Sequence, residues 1–160
     1  MLSPNEQILL QNLAEQTKAE VVNAIKTKSV TKFGAVNSSG RLANSVEIKY
    51  TNNGFQIWAN GYITGLIWGV KPNETTATLG DIQNWIQEKP LTTEIPVNTL
   101  AAMILRKQRK DGNMVWRTHK GANSGLLGDV MTPQTLDGWV QLLASKSVEE
   151  LTEEIVKAFE

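Results

Sequence analysis

The chain contains no cysteine. That excludes disulfides, thiolate zinc sites and thiol nucleophiles together. It holds one histidine, His119, so a metal centre would have to draw on carboxylates or on several copies of the chain. Charge of one sign is missing too: 16 lysines and arginines balance 16 aspartates and glutamates. Bulk electrostatics therefore do not drive the chain onto nucleic acid or an anionic membrane, and such a contact would need local segregation of charge. No segment approaches the ~20 apolar residues needed to span a bilayer. The N-terminus, "MLSPNEQILLQNLAEQ", has neither a basic leader nor an apolar run. It does not read as a signal peptide, and the expectation is a soluble protein made in a cytoplasm. Catalytic signatures are also absent: there is no GxGxxG, no phosphate-cradling Gly-Lys-Ser/Thr, no HExxH and no GxSxG.

Single residues do not fill that gap. Asp81 and Glu88 are two turns apart on an expected helix, a spacing common on solvated faces. His119, between Thr118 and Lys120, has no carboxylate beside it to orient a base. The expectation is a protein that is not an enzyme, with no catalytic, cofactor-binding or metal site.

At 160 residues the chain is long enough for one domain with a real core. Residues 1–160 are read as that domain, with about 121–160 as a C-terminal extension. Ser3-Pro4-Asn5-Glu6 is a helix start: a capping serine, a proline suited to the first position, and a glutamate able to complete a capping box. Ile8, Leu9, Leu13, Val21 and Ile25 then form one stripe of a helix ending near Lys28. At ~1.5 Å per residue it would be roughly 37 Å long. Residues 29–40 read as a Ser/Thr/Asn/Gly loop.

The period then changes to two. Val46, Ile48 and Tyr50, then Phe55, Ile57 and Ala59, alternate with polar residues around Asn53-Gly54, a strong hairpin signal. The predicted hairpin spans about 42–60, with Val46, Ile48, Phe55 and Ile57 inward beneath the first helix. Helices are expected at about 79–89, with Leu79, Ile82, Trp85 and Ile86 on one face, and at about 96–110. "MVWRT" (114–118) reads as a short third strand. Ser147-Val148-Glu149-Glu150 forms a second capping box, opening a C-terminal helix at about 147–159 that carries Leu151, Ile155 and Phe159. The fold class is α+β: a long N-terminal helix on a small antiparallel sheet, with further helices.

Two features call for partners. Trp85 and Trp139 fit a core. Trp58 is out of phase with its strand, Trp68 lies among glycines and Trp116 in a basic segment. These three admit two readings, packing on a second layer or a protein–protein interface, where tryptophan and tyrosine concentrate. A basic cluster, Arg106, Lys107, Arg109, Lys110, Arg117 and Lys120, contrasts with an acidic tail bearing Glu149, Glu150, Glu153, Glu154 and Glu160. Such a cluster is either a solvated face, a contact for a neighbour's acidic tail, or a positive surface facing DNA by sequence-independent attraction.

From Gly40 the chain resembles the tail-completion (neck, head–tail joining) proteins of tailed bacteriophages. "GRLANSV" is similar to their Thr-Gly-Arg-Leu-x-x-Ser-Ile/Val stretch, through Gly40, Arg41, Leu42, Ser45 and Val46. Tyr62, Leu66 and Gly69 fit the family's Tyr-Ala-x-x-(Val/Leu)-Glu-x-Gly run, although Ile63 replaces the alanine and Ile67 the acid. "IQNWIQEK" and "LAAMILRKQRKDG" resemble the two helices that follow, so the likeness covers about residues 1–112. It implies a structural subunit of a closed ring, six- or twelve-fold, between the portal vertex and the tail, traversed by DNA. Portal or adaptor and tail proteins would be its partners, with no membrane, and the virion its location after synthesis in a bacterial host cytoplasm. Trp58, Tyr62, Leu66, Trp68 and Trp116 are the expected interface residues. The basic cluster would face the DNA channel, in non-specific contact with the genome, or a protein. The alternatives are another virion ring component, an adaptor or tail terminator, and a small nucleic-acid-binding module.

Overall fold

Ser3 begins α1 (Pro4–Thr27) with a complete capping box. Its hydroxyl accepts from the Glu6 N–H at 3.1 Å, and its own N–H donates to the Glu6 carboxylate at 2.8 Å. The computed structural model describes residues 3–30, 40–52, 54–89, 94–130 and 132–159. Most of the loop expected at 29–40 lies outside them, as do Asn53 and the side chains of Ile155 and Phe159. The buried stripe of α1 is Leu10, Leu13, Ala14, Thr17, Val21, Ala24 and Ile25, while Ile8 faces outward. Leu13, Val21 and Ile25 are buried as expected and Leu9 is half-buried, while Leu10, Ala14, Thr17 and Ala24 complete the stripe. Ala14, Thr17 and Ala24 let neighbours approach closely, and the Thr17 hydroxyl is satisfied by the Leu13 carbonyl at 2.7 Å.

Gly40, at φ 75°, turns the chain into the short helix α2 (Arg41–Asn44), where β structure was expected to begin. Leu42 and Ala43 point into the core. The Ser45 hydroxyl donates to the Leu42 carbonyl at 2.8 Å and accepts from the Asn60 N–H at 3.0 Å, joining α2 to the end of the hairpin. Strands β1 (Glu47–Thr51) and β2 (Gly54–Trp58) pair antiparallel, with Ile48 opposite Ile57 and Tyr50 opposite Phe55. Val46 is buried, Ile48, Phe55 and Ile57 are half-buried, and Glu47, Lys49 and Gln56 are exposed, which is the expected register. α1 packs on α2, on both strands and on α7.

Next come α3 (Ile63–Ile67), α4 (Leu79–Glu88), α5 (Val97–Asp111), α6 (Met114–His119) and α7 (Pro133–Phe159). α6 replaces the strand expected at 114–118. Gly112 ends α5 at φ 79°, and the Asn113 side chain then accepts from the Trp116 N–H at 2.8 Å, capping a new helix. α7 starts at Pro133, not at Ser147. Thr132 accepts from the Thr135 N–H at 3.1 Å, and the proline fits the first helical position. Ser147 is interior to the helix, its hydroxyl shared between the Leu143 carbonyl and the Glu6 carboxylate.

The core has three clusters. One joins α1, α2, Val46 and Val130; a second joins Val30, Val115 and Leu126. Ile63, Leu66 and Leu127 pack against both. The third is confined to α4 and α5, through Ile82, Ile86, Ala101 and Leu105. Trp85, expected in the core, is exposed beside it, because the two-helix contact covers only the Ile82–Ile86 edge.

The Glu6 carboxyl is held below its usual value, chiefly by the Ser147 hydroxyl and then by the Ser3 N–H. A depressed folded value adds stability above the unfolded value and loses it as pH falls through the carboxylate range. The thermal midpoint should therefore drop as pH falls from about 5 to about 3, and less steeply in Glu6→Gln. Parallel pH profiles for the two proteins would mean that the Ser3–Glu6–Ser147 contact adds no stability.

Candidate functional site

The segment from Gly61 to Gly69 carries the aromatic residues that read as either core or contact. Its inner side is Ile63, Leu66 and Ile67, which pack on the core clusters. Its outer side is Tyr62 and Trp68, 52% and 48% exposed. Three residues distant in sequence hold it in this pose. Asn113 donates from Nδ2 to the Gly65 carbonyl at 3.0 Å, and its Oδ1 accepts from the Val70 N–H at 3.0 Å. The Asn113 N–H also donates to the Val70 carbonyl at 2.9 Å. Ser124 caps the other side, its hydroxyl donating to the Leu66 carbonyl at 2.7 Å and its N–H to the Ile67 carbonyl at 2.8 Å. With the backbone bonded on both sides, Tyr62 and Trp68 project from a fixed frame.

Trp116 is the third part of the frame. Gly69, Gly112 and Gly121 all have positive φ, and each lies against it. A Cβ on Gly69 would stand 2.5 Å from the Trp116 Cα; one on Gly112 would stand 2.5 Å from Cδ1, and one on Gly121 2.7 Å from Cζ3. Trp116 is half-buried in this glycine cradle, with the Lys71 ammonium 5.8 Å from its ring centroid.

Trp58 is 51% exposed on the outer face of β2. Its indole N–H donates to the Gln56 side chain at 3.0 Å, and the Lys49 ammonium sits 3.8 Å from the ring centroid. These contacts hold the ring without burying it. Trp139 instead packs against Phe55, centroids 6.1 Å apart. Desolvation pushes the Tyr62 phenol above its ordinary value, with Arg41 opposing.

Arg106, Lys107, Arg109 and Lys110 are all exposed in the second half of α5. Arg106 and Arg109 border a groove of about 670 Å³ with Thr75, Thr76, Thr78 and Leu79. Lys107 pairs with Asp111 at 3.1 Å and holds that carboxyl below its usual value. Arg117 is half-buried on α6, with its Nε buried and without a hydrogen-bond partner among the described residues. Lys120 is exposed just beyond α6, at φ 54°.

The residues weighed for catalysis have structural partners. Asp81 completes the capping box of α4 with Thr78, whose N–H and hydroxyl hold its carboxyl below the usual value. Glu88 pairs with Arg41 at 2.7 Å. His119 Nε2 lies 3.2 Å from the Val30 carbonyl. Among the described residues no group of three His, Asp or Glu is placed to hold a metal ion, and no helix is long and apolar enough to cross a membrane.

One surface escaped the sequence reading. Because α7 runs from Pro133, Leu136, Val140, Val148 and Leu151 form an exposed apolar stripe along it. Helical spacing extended back from 147 to 133 was the signal for it. No protein-family model, no curated protein and no solved structure matches the chain.

Gly69→Ala should cost about 2 kcal/mol or more, since the new Cβ meets backbone at a strained φ. Gly61→Ala is the control, because nothing lies within 4 Å of its Cβ position. Denaturant midpoints measure both. Equal midpoints would mean that the cradle around Trp116 is not a stabilising contact.

Proposed function

We propose that the chain is a structural, non-catalytic subunit of a bacteriophage neck or tail-completion ring. In this reading it joins the portal vertex to the tail around the DNA channel. The observation that carries the reading is the pair Tyr62 and Trp68, large rings held outward by a segment whose backbone is bonded on both sides. A core does not need them there, and a preorganised aromatic surface suits a partner, because little ordering remains to be done on binding. The resemblance of residues 40–46 and 62–69 to that family supports it. So does the order of elements, from a long helix through the hairpin to a tryptophan-bearing α4 and a basic-ended α5. The partners would be copies of the chain in a six- or twelve-fold ring, with portal or adaptor proteins on one side and tail proteins on the other. Arg106, Lys107, Arg109 and Lys110 would then face the DNA channel or a neighbouring protein. The virion would be its place of residence.

The basic groove beside Arg106 and Arg109 favours a second reading, a small nucleic-acid-binding module. Salt-sensitive DNA binding by the isolated monomer would select it.

The main test uses Trp68→Ala. The isolated variant should keep its stability within about 1 kcal/mol, as exposed positions do. Particle assembly should fail, because an aromatic anchor can carry about 2 kcal/mol or more of binding. Infectious particles at wild-type yield, or a large fall in the thermal midpoint, would count against an interface at Trp68. Absence of the wild-type chain from purified particles would refute the ring-subunit reading itself.

A further inference from the structure

Two surfaces remain that neither the core nor the aromatic segment uses, and they are opposite in charge. α1 and α7 bound a groove of about 390 Å³ with Ile8 and Leu9 in its lining, where Glu149, Glu150 and Glu153 outnumber Lys146, which pairs with Glu149. The Glu150 Oε1 is buried there with no hydrogen-bond partner among the described residues. An apolar floor with an acidic wall calls for a ligand that is apolar and cationic together.

α5 has that combination. Met103 is 56% exposed, and Arg106 and Lys110 follow it at three and seven residues, on the same outward face. α5 packs on α4 through the opposite side, Ala101 and Leu105, so this face is not needed for the fold. We propose that the groove between α1 and α7 receives the α5 face of a second copy of the chain. The proposal deepens the ring-subunit reading, on which it rests for its setting.

Charge selects the occupant. Two α7 faces meeting each other would set glutamates against glutamates, and two α5 faces would set cations against cations; like charges at close range are costly. α5 in the groove brings opposite charges together and buries Met103 against Ile8 and Leu9. The contact is heterologous, using different surfaces on each copy, so any open chain of copies still offers one free surface of each kind, at its two ends. Repetition then continues until the rotation closes.

Charge reversal of the full chain tests this by sedimentation velocity over rising concentration, at low and high salt. Wild type should self-associate, less in high salt. Glu149→Lys with Glu153→Lys makes the groove basic, and Arg106→Glu with Lys110→Glu makes α5 acidic. Each variant alone should associate about 100-fold more weakly or worse, since its two surfaces now share a sign. Mixed in equal amounts, the basic groove of one variant meets the acidic α5 of the other, and association should return. The altered residues are exposed, and unchanged thermal midpoints confirm folding; if a midpoint falls, the neutral glutamine replacements carry the same comparison. Monomeric wild type at the highest concentration, variants that associate like wild type, or a mixture that stays monomeric would each overturn the proposal. Charge-insensitive association by a chain that is found in particles would refute this contact and leave the ring-subunit reading standing. Charge-dependent association by a chain absent from particles would do the reverse.

Discussion

Trp116 meets backbone rather than side chains at three points, and that contact constrains much of what surrounds it. Gly69, Gly112 and Gly121 approach it so closely that a methyl group at any of them would collide. All three sit in the left-handed region, where other residues are strained. Asn113 completes the arrangement by capping α6 and bonding Gly65 and Val70. The exit of α3, the end of α5 and the start of α6 are therefore one joint. Trp68 is the residue immediately before Gly69, so its outward direction follows from the same joint.

That joint also explains which parts of the fold were legible in the sequence. α1 was readable because Ser3 and Glu6 satisfy each other within four residues. The hairpin was readable because the alternation of Ile48, Phe55 and Ile57 is a local pattern around a local turn. α6 was not, since "MVWRT" fits either period and Asn113 and Gly112 decide the outcome through contacts with the Gly65–Val70 segment. The Ser147 motif misled for a related reason: a capping serine and an interior serine look alike until its partner, Glu6, is brought alongside. At the candidate site, phase alone pointed to Trp58 as an outward ring. It did not separate Trp68 from Trp116, because three glycines spread over fifty residues make a cradle only after folding.

The α4–α5 pair stands apart energetically. Its cluster shares no residue with the other two. Its links to the rest include the Asn73 N–H donating to the Arg109 carbonyl at 2.8 Å and the Arg41–Glu88 ion pair at 2.7 Å, exposed on the arginine side. An exposed ion pair contributes little. Local opening of this pair then takes less free energy than unfolding of the α1-centred core, as expected of a unit with few buried contacts outside itself.

Glu6 and Ser147 are hydrogen-bonded across nearly the whole chain. α1 is synthesised well before α7, yet α7 is one of the surfaces on which α1 packs. On a ribosome α1 has no α7 to pack on until that helix emerges. Contacts of such long sequence separation form late and slowly. Until then the part of α1 that α7 covers is exposed on the nascent chain, the kind of transient apolar surface that favours premature association. The capping box at Ser3 holds the end of that helix in shape during the wait.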